Sequence, residues 1–298
     1  MLSYVIDEEF FVSADSVGRE KMKKRIYDKH GYDDERIIAR SILSRPIEAH
    51  IVGRGKRTVA IFAAHHALES ITTNLAYLII DLLLSGMAKR VLNTVDCKLL
   101  LSKYRFIVVP CVNPDGVEMR INGYCNSPLK ERQMRMSGGD LSMWQANARG
   151  VDLNHNYDAG FFEYIAFMQR SGIDAGPTLY GGEYPESEPE TRGVANLIRV
   201  ISPMAVVSLH SQGEEIYSYP DMPRVARATA KLSGMTGYKV CRASGSAAYS
   251  GLCDYTGALG IPSFTYEVGK GQNPLPESVI SDVFYRIAES IVILPTLL

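Results

Sequence analysis

Two histidines and a glutamate crowd into one short stretch, "VAIFAAHHALESITTNLAYLIIDLLLSG" (59–86), between an apolar run and a long amphipathic segment. They are His65, His66 and Glu69; a further histidine, His210, ends the apolar run "AVVSLH" 144 residues beyond His66. A close pair plus one distant ligand, made of two imidazoles and one carboxylate, suits catalytic zinc because three protein donors leave a fourth position open for water. His66 has the H-x-x-E spacing to Glu69, so His66, Glu69 and His210 are the expected ligands and His65 their neighbour. The competing reading makes the histidines loop residues and Glu69 a first-turn acid favoured by the helix dipole. Hydrolysis also needs a base. Glu267 sits in the apolar run "PSFTYEVG", where a lone carboxylate is costly to bury, so it must either meet a cation or face a cleft.

The elements that would position these residues can be read from apolar patterning. "ARSILSRPIEAHIVGRGKRTVAIFAAHH" reads as two β-runs separated by the turn "GRGK", and Glu69 to Leu84 carries apolar residues at helical spacing. "YRFIVVPCV", "MAVVSLH" and "IPSFTYEVG" read as interior strands, and "PESVISDVFYRIAESIVI" as a closing helix. "SEPETRGVANLIRVI" opens with a capping pattern, Ser187 followed three residues later by Glu190. "NPDG" (113–116) has turn chemistry and is expected to be a loop leaving the sheet. Buried strands alternating with helices predict an α/β fold: one domain over 1–298, with a mixed, largely parallel sheet flanked by helices and residues 1–37 as an N-terminal helical arm. Active sites in such sheets lie just beyond strand ends, which is where the three ligands are placed.

The totals exclude other classes. A net charge of −1 over 298 residues offers no electrostatic case for nucleic acid or an acidic membrane. No apolar segment has the length of a membrane span, and the N-terminus carries acids where a signal peptide needs basic residues. The five cysteines are odd in number and without close pairs, so no disulfide framework is suggested and a reducing cytoplasm is the expected setting.

The pieces "HHALE", "VNPDGVEMR", "NARGVDLNHNYDAGF", "ESEPETR", "SLHSQGEEIY" and "FTYEVGKGQNPLP" occur in the order seen in the zinc metallocarboxypeptidase family of carboxypeptidase A. The chain resembles that family over roughly residues 40–275. The resemblance implies one zinc held by His66, Glu69 and His210, with Glu267 as the carboxylate that takes a proton from water and passes it to the leaving amine. It also implies that Tyr249, in "GSAAYSGLCDY", matches the family's mobile active-site tyrosine.

The chain departs from the digestive members of that family. Their Asn-Arg pair, which clamps a C-terminal carboxylate, reads Asn154-His155 here; histidine lacks the permanent charge and bidentate fork of arginine. Their Trp-Arg, whose arginine polarises the scissile carbonyl, reads Trp144-Gln145. The nearest arginine is Arg149, either a substitute for that group or a structural turn residue. The resemblance also implies that Cys253, the residue before Asp254, stands at the base of the specificity pocket; it carries no charge and argues against a preference for C-terminal Lys or Arg. Lys270 could meet a substrate carboxylate or simply be solvated.

"WQANARGVDLNHNYDAG", "HSQGEEIY" and "EVGKGQNPLP" look like the bacterial subgroup that cleaves γ-D-glutamyl–meso-diaminopimelate bonds in peptidoglycan peptides. The expected substrate is therefore a peptidoglycan stem peptide. Two rivals stand beside this reading: a conventional carboxypeptidase removing neutral C-terminal residues, and a non-catalytic protein that binds muropeptides.

Overall fold

The computed structural model describes residues 4–88, 96–242 and 249–298. Eight strands form one sheet: β1 (Glu35–Arg40), β2 (Pro46–Val52), β3 (Arg57–Ala63), β4 (Tyr104–Val109), β5 (Ala205–His210), β6 (Glu215–Tyr219), β7 (Lys239–Cys241) and β8 (Ser263–Glu267). Their spatial order is β1-β2-β4-β3-β5-β8-β6-β7. The four central strands β4, β3, β5 and β8 run parallel. β1/β2, β2/β4 and β6/β8 are antiparallel and β6/β7 is parallel, so the sheet is mixed and mostly parallel. β3 and β5 are buried almost end to end, which is why they read as continuous apolar runs: strands covered on both faces have no solvent side to mark with polar residues.

The helices are α1 (Ser16–His30), α2 (Ile71–Ala88), α3 (Cys97–Lys103), α4 (Pro114–Asn122), α5 (Lys130–Ser137), α6 (Phe161–Ser171), α7 (Pro189–Ile201), α8 (Pro223–Thr236), α9 (Leu252–Ala258) and α10 (Ile280–Ile293). Side-chain alternation along the strands divides the core. Val59, Ile61, Val207, Leu209, Phe264, Tyr266 and Ile216 face α2, α8 and α10. Ala60, Phe62 and Val206 point the other way, toward Val194 and Ile198 of α7 and Leu252 and Tyr255 of α9.

α2 is buried on nearly every side, and the polar residues this encloses are satisfied by the N-terminal segment. Asn74 donates to the carbonyls of Phe10 and Val12. Asp81, fully enclosed, accepts from Tyr4, Lys29 and His30. A buried carboxylate left without such partners would be strongly destabilising, so these bonds strap residues 4–30 to α2.

The structure corrects the element reading at several points. The expected arm contains α1, but its last three residues already belong to β1. The turn "GRGK" does follow β2 and precede β3, yet β4 lies between the two strands, so they form no hairpin. Ser187 does not cap α7: the cap residue is Glu188, without a side-chain cap bond, and the Ser187 hydroxyl instead donates to the Glu188 carboxylate at 2.9 Å. Strands β1, β6 and β7 are half exposed and lack the apolar run that marks an interior strand.

Candidate metal centre and active site

β3 and β5 are neighbours in register, with Ala63 opposite Leu209, so the loop after β3 and the last residue of β5 arrive at the same edge. The chain turns at Ala64, whose φ of 52° breaks the strand. His66 then precedes a single 3-10 turn (Ala67–Glu69) that brings Glu69 round beneath the ring. Thr72 closes the corner by donating to the Glu69 carbonyl and accepting from the Ala64 amide.

Three candidate ligand side chains converge. The Nδ1 atoms of His66 and His210 each lie 2.9 Å from a different oxygen of Glu69, and they are 3.3 Å apart. The Nε2 of His66 faces the Asp152 carboxylate at 3.2 Å; donation there leaves the Nδ1 lone pair turned inward, the arrangement by which a carboxylate orients a metal-bound imidazole. The Nε2 of His210 is buried without a partner among the described residues, so Nδ1 is its engaged nitrogen. Two inward imidazole nitrogens and a carboxylate are a donor set that fits zinc.

The electrostatics agree. Burial disfavours the charged form of His66, but Glu69 and Asp152 outweigh it and raise the ring's pKa well above the ordinary value. Burial would raise Glu69, yet His66 and His210 hold it down at about 2. Asp152 is likewise held far below the usual carboxylate range, its burial overcome by His66 and His155. The corner is built to attract positive charge.

Glu267 ends β8 directly opposite His210 on the neighbouring strand. Burial, assisted by the Glu69 carboxylate and opposed by His210 and His66, lifts its pKa to about 7. A carboxyl near neutrality can both accept and return a proton.

The structure places the other sequence-derived residues unevenly. Asn154 and His155 lie in a short turn (Leu153–His155) beside α9. The Asn154 amide oxygen accepts from the Leu252 amide at 3.2 Å, which leaves its NH2 as a donor. His155 stacks on Tyr164 with centroids 4.3 Å apart and donates from Nδ1 to the Tyr249 carbonyl. Burial lowers its pKa despite Asp152, so the ring is neutral and its Nε2 is a hydrogen-bond acceptor. Tyr249 is exposed, and its ring lies beside Gly160 at the start of α6. Cys253 lies within α9, with Sγ 3.0 Å from the Ser263 hydroxyl.

Arg149 is not brought to the triad. Its guanidinium forms a two-point pair with Glu188, at 3.0 and 2.8 Å, and also donates to the Ser187 carbonyl. Lys270 is exposed and paired with Glu214. His65 is a neighbour as expected, stacked on His210 and bonded to Tyr157.

Two contributors escaped the sequence reading. Asp152, within "GVDLNHN", carried a signal only in its nearness to Asn154. Asn113 was read as part of a loop, but "NPDG" begins α4: the Asn113 side chain caps Gly116, and its NH2 donates to the carbonyls of His65, Gln145 and Ala146. It ties the ligand loop to the Trp144-Gln145 segment, as does the Ala67 amide bonded to the Gln145 carbonyl.

The zinc carboxypeptidase family model matches residues 35–285. Gamma-D-glutamyl-L-diamino acid endopeptidase 1 of Lysinibacillus sphaericus is 31% identical over 255 residues, 83% of this chain, which spans 63% of that relative. Among solved structures, bovine thrombin-activatable fibrinolysis inhibitor superposes with a TM-score of 0.74 at 21% identity, covering 97% of this chain and 98% of that one. Murein-tripeptide amidase MpaA of Escherichia coli O157 superposes with a TM-score of 0.57 at 19% identity, covering 88% and 92%.

Proposed function

Because the chain belongs to the zinc carboxypeptidase family, we propose that it is a zinc-dependent peptidase hydrolysing the amide between the γ-carboxyl of D-glutamate and the L-centre of meso-diaminopimelate in peptidoglycan-derived peptides. The observation that carries the choice of bond is the neutral Asn154-His155 pair. A substrate held only by its terminal carboxylate calls for a permanent cation at that place, and here a lowered histidine pKa removes the charge. The name of the Lysinibacillus sphaericus relative supports the same choice.

In this reading His66, Glu69 and His210 hold one zinc, and Asp152 orients His66. The metal, when bound, supplies a Lewis acid that activates water and polarises a carbonyl at neutral pH. Glu267 takes the water's proton and returns it to the departing amine. With Arg149 committed to Glu188, we assign the contact to the scissile carbonyl to the Gln145 amide, which adjoins the ligand loop and whose Oε1 is already fixed by Thr178. The Asn154 NH2 meets a substrate carboxylate, Cys253 lines the side-chain pocket, and Tyr249 covers the bound peptide. The five thiols, none in a disulfide, support a reducing cytoplasmic setting, where such a peptidase would recycle wall peptides.

The test is mass spectrometry of L-Ala-γ-D-Glu-meso-diaminopimelate incubated with the protein, with and without a zinc chelator. Release of free diaminopimelate that the chelator abolishes is the expected result. No release from zinc-loaded protein overturns the reading, and cleavage of α-linked peptides instead would make the chain a conventional carboxypeptidase.

A further inference from the structure

The alternation that sends His210 to the α7/α9 face of the sheet sends Ser208 there too, and the strand register carries that face outward. Ser208 pairs with Thr265 and His210 with Glu267 across β5/β8; Thr265 pairs with Tyr217 and Glu267 with Glu215 across β8/β6. In these two rows the face is therefore polar on β5, β8 and β6, and α9 lies over it with Cys253 against Ser263. Ser208 is buried, and its hydroxyl has no hydrogen-bond partner among the described residues.

Glu215 supplies the charge. It is half buried, and one of its oxygens accepts from the Tyr217 hydroxyl at 2.6 Å. The Cys241 thiol lies against the carboxylate. No cation pairs with it among the described residues. Lys239, its register partner on β7, makes no ion pair with the described residues, and Lys270 and Arg286 are both engaged by Glu214. A partly desolvated carboxylate without a counter-ion, one strand away from the proposed base, is a ready acceptor for an ammonium group.

We propose that Glu215, with Tyr217 and the Ser208 and Thr265 hydroxyls, forms a subsite for a primary ammonium on the side chain of the residue that leaves as the amine. The ligand class is a diamino acid whose second amine lies several carbons from the scissile nitrogen. This rests on the peptidase reading for its place in the reaction, and it names Glu215 as the residue that would select a diamino acid over a neutral one.

The experiment is calorimetric binding of two free amino acids to the zinc-loaded protein: meso-diaminopimelate, and 2-aminopimelate, which has the same chain without the second amine. Wild-type protein should bind meso-diaminopimelate about 10- to 100-fold more tightly, the span of one charge-assisted hydrogen bond. Glu215→Gln, which keeps an acceptor for Tyr217, should lose that preference while leaving 2-aminopimelate binding unchanged. Equal binding of the two by wild-type protein, no binding of either, or a Glu215→Gln protein that still discriminates would each overturn the subsite. Turnover is separate: discrimination without cleavage of the γ-D-glutamyl peptide would reject the proposed bond and keep the subsite.

Discussion

His66 shows how few atoms decide the proposed metal corner. One ring nitrogen faces Glu69 and His210, and the other is fixed by Asp152. Removing Asp152 takes no ligand away but frees the ring to rotate and to change tautomer. Asp152→Ala should therefore weaken zinc binding by about 10- to 100-fold in a competition titration with a chromophoric chelator. An unchanged affinity would show that the ring is held by packing alone. Glu267 is the reverse case, a side chain proposed for chemistry and not for the metal. Glu267→Gln should retain zinc and a normal melting profile while kcat drops about 100- to 10 000-fold, the usual range for a lost general acid–base group.

At the scale of elements, the site depends on strand ends being delivered in register, and the opposite edge of the sheet helps to set that register. The turn after β2 passes against the α3–β4 junction, where the Arg54 amide donates to Leu101 and the Gly55 amide to Tyr104. A Cβ on Gly55 would lie 2.0 Å from the Lys103 carbonyl carbon and 2.1 Å from the Tyr104 nitrogen. Those are backbone atoms and cannot turn aside. Gly55→Ala should cost at least about 2 kcal/mol of stability by urea unfolding. Because the turn precedes β3 and the ligands follow it, the folded fraction should keep its zinc affinity. α1 and the segment before it matter in a different way, as the source of the partners that Asp81 and Asn74 require inside the domain.

Across the whole molecule, two enclosed groups, one on a strand and one on a helix, should shape the dependence of stability on pH. His50, on β2 facing α2, has its pKa lowered to about 3 by burial and by Lys23. The unfolded chain takes up that proton near 6.5 while the folded chain resists, so stability present above 6.5 is lost as pH falls toward 3. Glu190, at the start of α7, is raised to about 8, chiefly by burial with Glu188 and Asp115 adding to it. Here the folded chain keeps a proton that the unfolded chain releases near 4.5, so stability is lost as pH rises from there to 8. Urea midpoints across this range should show His50→Phe flattening the acid limb and Glu190→Gln the alkaline limb. Each limb amounts to a few kcal/mol at most. Variants that shift the whole curve without changing its slope would show that neither group titrates as placed.

What could be read before folding was whatever the chain encodes in adjacent residues. Buried strands such as "AVVSLH" declare themselves because they have no solvent face, and the H-x-x-E pair lies within one turn of backbone. The α/β class and the convergence of His66, Glu69 and His210 follow from such local signals together with a match of motifs in order. Contacts across long intervals were not legible. That Arg149 would be occupied by Glu188, that Asp152 would face His66, and that burial would leave His155 neutral all depend on which loops meet above the sheet. The half-exposed strands β1, β6 and β7 were hidden as well, because their pairing comes from neighbours and not from their own composition. Ligand types and spacing belong to the sequence; charge state, hydrogen-bond commitment and the face to which Glu215 points belong to the tertiary structure, since each is set by desolvation and by partners that only folding supplies.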